Sequence, residues 1–300
     1  MSKKTVFLES IKNLNNIKSS FMIMKIIFKD NTKLVCLLSD KTGSIRATFI
    51  NPKVNLEVGY VVEVNARMDI NLEVNSYEIL DKYDLSDYLP TLQRDINEVM
   101  EKIEDISNSY ILSREAKELD NYFFKNEEFL KMFKQCIGGV SMHHNYLGGL
   151  AEHTLNVMYL TTVLCDRYDC RHSEIAVLAA KLHDIGKISE FNFNGPFKYT
   201  IRGELEGHII IGVQMIDEAV RSKPNFYSDD FVNRIKGCIV QHHGKLEYGS
   251  PKSANMEESI IVNFADSVDA RMNKLYQLKE IFEVNSWSEY DRALETRIYF

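Results

Sequence analysis

The stretch KLHDIGKISEF, residues 181–191, decides how the chain is read. His183 and Asp184 stand at the end of an apolar, helix-patterned run (Ala176, Val177, Leu178, Ala179, Ala180, Leu182), and Gly186 and Lys187 follow at once. A carboxylate in such a run is costly unless a cation or a set of hydrogen bonds compensates it. Adjacent residues project about 100° apart around a helix, so this pair does not aim at one atom from its middle. At a helix end beside a glycine it does, and an aspartate has two oxygens to offer. The reading predicts a metal ion as the compensating cation, or a pair of ions.

Working outward, the eight histidines all fall between residues 143 and 243, four of them as two His-His pairs. His153 sits in LGGLAEHTLNVMYL, His208 in GELEGHIIIGVQM, His242 and His243 in VQHHGK, and Asp266 in IVNFADSVDARM. One histidine on an apolar helix is ordinarily a hydrogen-bonded core residue; the set is what points to ligation. Imidazole and carboxylate without thiolate suit a borderline divalent ion, Mn²⁺ first and Co²⁺, Fe²⁺ or Zn²⁺ as alternatives. The five cysteines are scattered without a Cys-x-x-Cys pair, which argues against a thiolate zinc site and a disulfide framework.

At 300 residues, 45% hydrophobic and 26% charged, the chain is globular and long enough for two domains. A net charge of −7 gives no general attraction to polyanions, so any nucleic-acid contact needs a local basic surface. MSKKTVFLES has no apolar run behind its lysines, and no segment approaches the roughly 20 apolar residues of a membrane span. A reduced, cytoplasmic protein without membrane contact is expected.

Residues 1–85 read as five short strands with turn residues between them: SFMIMKIIFKD (20–30), KLVCLLSD (33–40), the segment after Asp40-Lys41-Thr42-Gly43, GYVVEVNARMDI (59–70) and NLEVNSYEIL (71–80). In the third, Ile45, Ala47 and Phe49 alternate with Arg46, Thr48 and Ile50. Five short strands in about 80 residues predict a small all-β barrel. Beyond Pro90 the apolar spacing becomes helical. A linker and helical connector are expected over 86–130 and an all-α domain over 131–300.

LSDKTGSIRATFI resembles the central hairpin of OB-fold nucleic-acid-binding modules. The ordered set His153, His183-Asp184, Asp266 resembles the HD superfamily of metal-dependent phosphohydrolases, and the intervening His208 and His242 resemble its two-metal members. With HHNYLGGLAEHTLNV, QHHGKLEYGSP and ADSVDARMN added, nearly the whole chain is similar to the 3′→5′ exoribonucleases of low-GC Gram-positive bacteria, which join an OB to an HD domain. That resemblance implies a first metal on His153, His183, Asp184 and Asp266. It implies Asp184 as a bridge to a second metal on His208 and His242. His243 is then a ligand, a substrate contact or a packing residue. Asp184 and Lys187 become the catalytic pair, with Lys187 facing a phosphate. His144 is expected at the site mouth, and Arg271 on a phosphate or paired with Asp266 or Asp269. His143 is expected to be structural, and the region around Trp287 to be a helical tail. On the barrel, Lys33, Arg46, Phe49, Arg67 and Tyr77 are candidate strand contacts, since such folds combine a basic groove with stacking aromatics.

The expected activity is metal-dependent 3′→5′ hydrolysis of single-stranded RNA to nucleoside 5′-monophosphates, with single-stranded DNA as a second candidate substrate. Two other readings stay open. One is a cyclic-dinucleotide or small-nucleotide phosphodiesterase, which the barrel and the missing GYP tripeptide oppose. The other is a nucleic-acid-binding protein with a structural metal. The lack of GxSxG and of a glycine-rich phosphate loop disfavours acyl transfer and P-loop chemistry.

Overall fold

The computed structural model describes residues 4–11, 15–140 and 144–300. The chain divides into two compact units: Met1–Thr91 with Asn192–Lys198, and Leu92–Phe191 with Tyr199–Phe300.

In the first unit a single helical turn, α1 (Leu8–Ile11), precedes β1 (Asn16–Lys29), β2 (Lys33–Asp40), β3 (Gly43–Ile50), β4 (Val61–Met68) and β5 (Leu72–Ile79). They close an OB-like barrel in the order β1-β2-β3-β5-β4, with β3 and β5 parallel and the other pairs antiparallel. Two turns are set by aspartates: Asp30 Oδ1 accepts from Thr32 N and Lys33 N, and Asp40 Oδ1 from Thr42 N. β1 starts earlier than its apolar pattern suggests, because its polar first half pairs with β4 from Asn16↔Arg67 to Met22↔Val61. Register shifts at Ile23/Lys25 and Ile26/Phe28 then bend it onto β2. Inward side chains, among them Phe21, Ile23, Leu34, Leu38, Phe49, Val62, Val64 and Leu72, form the core.

The second unit is helical: α2 (Ile96–Tyr110), α3 (Arg114–Phe124), α4 (Glu127–Gln135), α5 (Gly149–Tyr168), α6 (Ser173–Leu182) and α7 (Lys187–Glu190). After the two-residue strands β6 (Phe191–Asn192) and β7 (Lys198–Tyr199) come α8 (Ile201–Arg221), α9 (Asp229–Gln241) and α10 (Glu257–Lys279). Asp95, Ser113, Asn126, Thr200 and Ser228 cap α2, α3, α4, α8 and α9 through their side chains. The expected connector, 86–130, is largely α2 and α3. Both belong to this unit, because Val99, Ile103, Leu119 and Phe123 bury their apolar faces. Inside the unit Lys181 is 1% exposed, yet it pairs with Asp120 at 2.6 Å and donates to Ser107 Oγ at 2.8 Å.

The tail departs from the helical expectation. Around Trp287 the chain makes isolated bridges, Trp287↔Tyr299 and Asp291↔Thr296. Asp291 Oδ1 accepts from Ala293 N and Leu294 N, a local turn that competes with helix. Among the described residues no helix is long and apolar enough to cross a membrane.

Candidate metal centre

α6 stops at Leu182, so His183 and Asp184 leave the helix at its last turn, the placement their pairing requires. His153 comes from the first half of α5, His208 from α8, His242 from the end of α9, and Asp266 from α10. α8 is broken at Gly207, whose φ of 72° is the left-handed region that favours glycine, immediately before His208.

Asp184 is the hub. Its Oδ2 lies 3.4 Å from His153 Nε2 and 3.2 Å from His183 Nε2, and Asp266 Oδ1 lies 3.2 Å from the same His153 nitrogen. Its Oδ1 faces the other way, 3.5 Å from His208 Nε2 and 3.7 Å from His242 Nε2. One carboxylate thus presents one oxygen to each of two nitrogen clusters.

Every imidazole in this set has its Nδ1 engaged by an acceptor. His153 donates to Asp269 Oδ2 at 2.6 Å, His183 to Ala180 O at 2.8 Å, His208 to Glu190 Oε1 at 3.2 Å, and His242 to Ile239 O at 2.7 Å. A neutral ring whose Nδ1 donates carries its lone pair on Nε2, and all four Nε2 atoms turn toward Asp184. The Nε2 atoms of His153 and His183 lie 3.1 Å apart, a contact that requires a cation between them, either a proton or a metal.

The buried polar atoms agree. Asp184 Oδ1, His208 Nε2, His242 Nε2 and His243 Nδ1 have no hydrogen-bond partner among the described residues, and they belong to one cluster. Leaving such atoms unpaired costs about 1–3 kcal/mol each, more for charged ones. A divalent ion satisfies them, so this donor set fits metal binding. Ligand-capable atoms of His153, His183 and Asp184 lie within 4.8 Å of one another, as do those of His208, His242 and His243.

Electrostatics point the same way. Burial raises the Asp184 carboxyl, but Lys187, His183 and hydrogen bonds from His153 and His183 outweigh it and hold its pKa well below the carboxylate range. Burial opposes charge on His153, yet hydrogen bonds to Asp184, Asp266 and Asp269 raise its pKa well above the imidazole value. Burial, with His243 and His183 nearby, keeps His242 well below that value and therefore neutral. The field that draws a proton to His153 equally favours a metal cation.

Lys187 and His243 fall in the cluster, whereas His144 and Phe49 do not take their expected positions. Lys187 is 7% exposed and pairs with Asp184 Oδ2 at 2.6 Å. His243 joins the cluster, its ring centroid 4.2 Å from that of His242 and 5.2 Å from that of His208. His144 is not at a mouth. It is buried behind His153, with Nε2 on Asp269 Oδ2 at 2.7 Å and Nδ1 at 2.8 Å from the Tyr146 hydroxyl. Arg271 is exposed, and Asp269 pairs with His144 and His153 instead. Phe49 is 1% exposed in the barrel core, edge-to-face with half-buried Tyr77, so it offers no stacking platform. Lys33, Arg46 and Arg67 are exposed. His143 lies outside the described residues.

Sequence reasoning missed Asp269 and Glu190. Asp269 stands three residues after Asp266, one turn along the same helix, which is the signal that could have found it. Glu190 accepts from both the backbone N and the ring of His208 and had no comparable signal.

Residues 150–271 match the HD domain family. The chain is 28% identical over 282 residues to a protein of Geobacillus sp. (strain WCH70) named 3′-5′ exoribonuclease YhaM, covering 89% of this chain and 85% of that one. A protein of the same name from Bacillus subtilis (strain 168) is 27% identical over 282 residues, covering 89% and 87%. Among solved structures, the HD domain of the L. monocytogenes phosphodiesterase PgpH covers 49% of this chain and 74% of that one, at 20% identity and a TM-score of 0.30, a likeness too loose to bear on function. Residues 150–271 are thus an HD domain, and the chain is related along most of its length to the proteins named 3′-5′ exoribonuclease YhaM.

Proposed function

We propose that the chain is a metal-dependent 3′→5′ exoribonuclease that releases nucleoside 5′-monophosphates from single-stranded RNA, with single-stranded DNA the second substrate to test. The observation that carries this reading is the division of Asp184, one oxygen toward His153, His183 and Asp266, the other toward His208 and His242. His243 joins the second set. Two divalent ions held there, Mn²⁺ being the first choice, would supply hydroxide near neutral pH and offset charge on the phosphoryl oxygens. The protein's own part is positional. Asp269, Ala180, Glu190 and Ile239 orient the four imidazoles through Nδ1. Lys187 is a buried cation held against Asp184, where it offsets negative charge close to the reacting phosphate.

The barrel supports the choice of a strand as substrate. Lys33 and Arg46 stand on the outward face of the β2–β3 hairpin, where β2 and β3 pair through Lys33↔Ile50 and Leu37↔Arg46. Arg67 is exposed on β4. These exposed cations are the candidate phosphate contacts on a chain of net charge −7, with Glu73 of β5 standing between Arg67 and β3.

The test gives the protein 5′-labelled linear RNA, circular RNA and a cyclic dinucleotide side by side with Mn²⁺, and repeats the set with a chelator. A ladder from linear RNA alone, abolished by the chelator, is the expected result. Rapid cleavage of the cyclic dinucleotide with linear RNA intact would replace this reading by the phosphodiesterase one. Cleavage that survives the chelator would remove the metal from it.

A further inference from the structure

His153 is held by more than its helix. The Asp269 oxygen that accepts from His153 Nδ1 at 2.6 Å takes a second hydrogen bond from His144 Nε2 at 2.7 Å, and Asn156 Nδ2 donates to the other oxygen at 2.7 Å. Behind His144, its Nδ1 lies 2.8 Å from the Tyr146 hydroxyl, which donates to Glu152, and Arg94 pairs with Glu152 at 2.7 Å. The backbone of His144 is tied to the same helix as Asp269: its N–H donates to Asn273 Oδ1 at 3.0 Å, one turn further along α10. His144, His153 and Asp269 are all buried. The result is a continuous polar chain, Arg94–Glu152–Tyr146–His144–Asp269–His153, from a half-exposed arginine to a ring in the metal centre.

A carboxylate only accepts hydrogen bonds, so both imidazoles must offer Asp269 an N–H. For His153 that fixes the tautomer with hydrogen on Nδ1 and directs Nε2 at Asp184 and Asp266. The charge on Asp269 also makes the His153 ring a stronger donor to a cation. An aspartate serving one histidine could swing between acceptor geometries. His144 and Asn156 take up its remaining directions and leave it one.

From this geometry we infer that Asp269 and His144 are positioning residues for metal binding: they lock His153 as a ligand and touch neither substrate nor metal themselves. The inference deepens the metal-centre reading and does not depend on RNA being the substrate. It also accounts for the histidine of the HHNYLGGLAEH segment that the hydrolytic scheme leaves unused.

The experiment strips the full-length protein with a chelator and titrates it with Mn²⁺ alone, following free Mn²⁺ by electron paramagnetic resonance, with no RNA present. Asp269→Ala and Asp269→Asn should weaken one of the two ions by about 10–100-fold, the effect usual for such supporting residues, and leave the ion on His208 and His242 near its original affinity. His144→Ala should shift the same ion in the same direction. His144→Gln, whose amide N–H still reaches toward Asp269, should recover most of the loss. Thermal melting of each metal-free variant reports whether it folds; if the Asp269 variants do not, the His144 pair decides. A folded variant that binds both ions with wild-type affinity overturns the inference, even if its metal-free melting point has dropped, since that is a packing role only. So does His144→Gln binding as weakly as His144→Ala. Failure of the exoribonuclease reading would appear in the RNA assay and leave this titration unchanged.

Discussion

Gly186 meets His208 backbone to backbone: a Cβ built on Gly186 would lie 2.0 Å from the His208 carbonyl oxygen and 2.8 Å from Gly212 N. The turn after α6, which carries Asp184, is therefore seated directly on α8, which carries His208. Gly186→Ala must push these elements apart, because a backbone carbonyl does not step aside as a flexible side chain does. We expect a loss of roughly 1–3 kcal/mol in urea denaturation, the usual range for overpacking. Hydrolysis should fall by about 10²-fold, as displacements near 1 Å do.

Asp184→Ala removes the only carboxylate that faces both nitrogen clusters among the described residues. The residue follows the last turn of α6, where alanine is tolerated sterically. Hydrolysis should be lost while the circular dichroism of the helical unit stays unchanged, and bound metal should fall in elemental analysis. Full activity in a folded variant would place the chemistry elsewhere.

Lys187→Met keeps most of the buried volume and deletes the charge paired with Asp184. The carboxylates then hold a cation at least as well, so metal content should be retained. Turnover should drop by about 10²–10³-fold, the scale of losing one charge-stabilising donor. Parallel loss of metal and rate would instead make Lys187 a support of the site.

Asp120→Ala strands Lys181, which is 1% exposed. Removing one member of a buried pair typically costs about 3–5 kcal/mol, whereas replacing both with apolar groups is often neutral. Urea denaturation should show the full loss in Asp120→Ala and recovery of most of it when Lys181→Met is added.

Replacing Lys33, Arg46 and Arg67 together by alanine should weaken RNA binding and flatten its salt dependence. Each lost phosphate contact reduces the slope of log K against log salt by about 0.7 on a single strand. Hydrolysis of a small activated phosphodiester should be untouched. An unchanged slope would exclude these three cations from RNA binding.

How much was legible depended on whether one residue type at one spacing sufficed. Alternation placed β3, apolar strand-like runs bounded by turn residues placed β2, and the change of period after Pro90 separated barrel from helices. His153, His183, Asp184, His208, His242 and Asp266 were each marked by standing as polar residues within apolar helices, and the fold brings them together. Phe49 was misassigned although its own alternation with Arg46 already put it on the face of Ala47, the core face. The resemblance put His144 at the site mouth, whereas its burial depends on Asp269, Asn273 and Tyr146 converging from two segments, which no local pattern shows. The Asp120–Lys181 pair was invisible for the same reason: its partners come from α3 and α6, and no local pattern links them. Contacts that join backbone to backbone, as at Gly186, leave only a glycine as their trace.

The order of the ligands along the chain has one more consequence. His153 is made first and Asp266 last, with α6, α8 and α9 supplying the others in between. During synthesis, a chain that has not yet released α10 from the ribosome carries neither Asp266 nor the Asp269 that orients His153. A ribosome paused anywhere before that helix holds a chain without its proposed centre. The proposed centre is therefore complete only once α10 has emerged, so the first ligand made waits for the last.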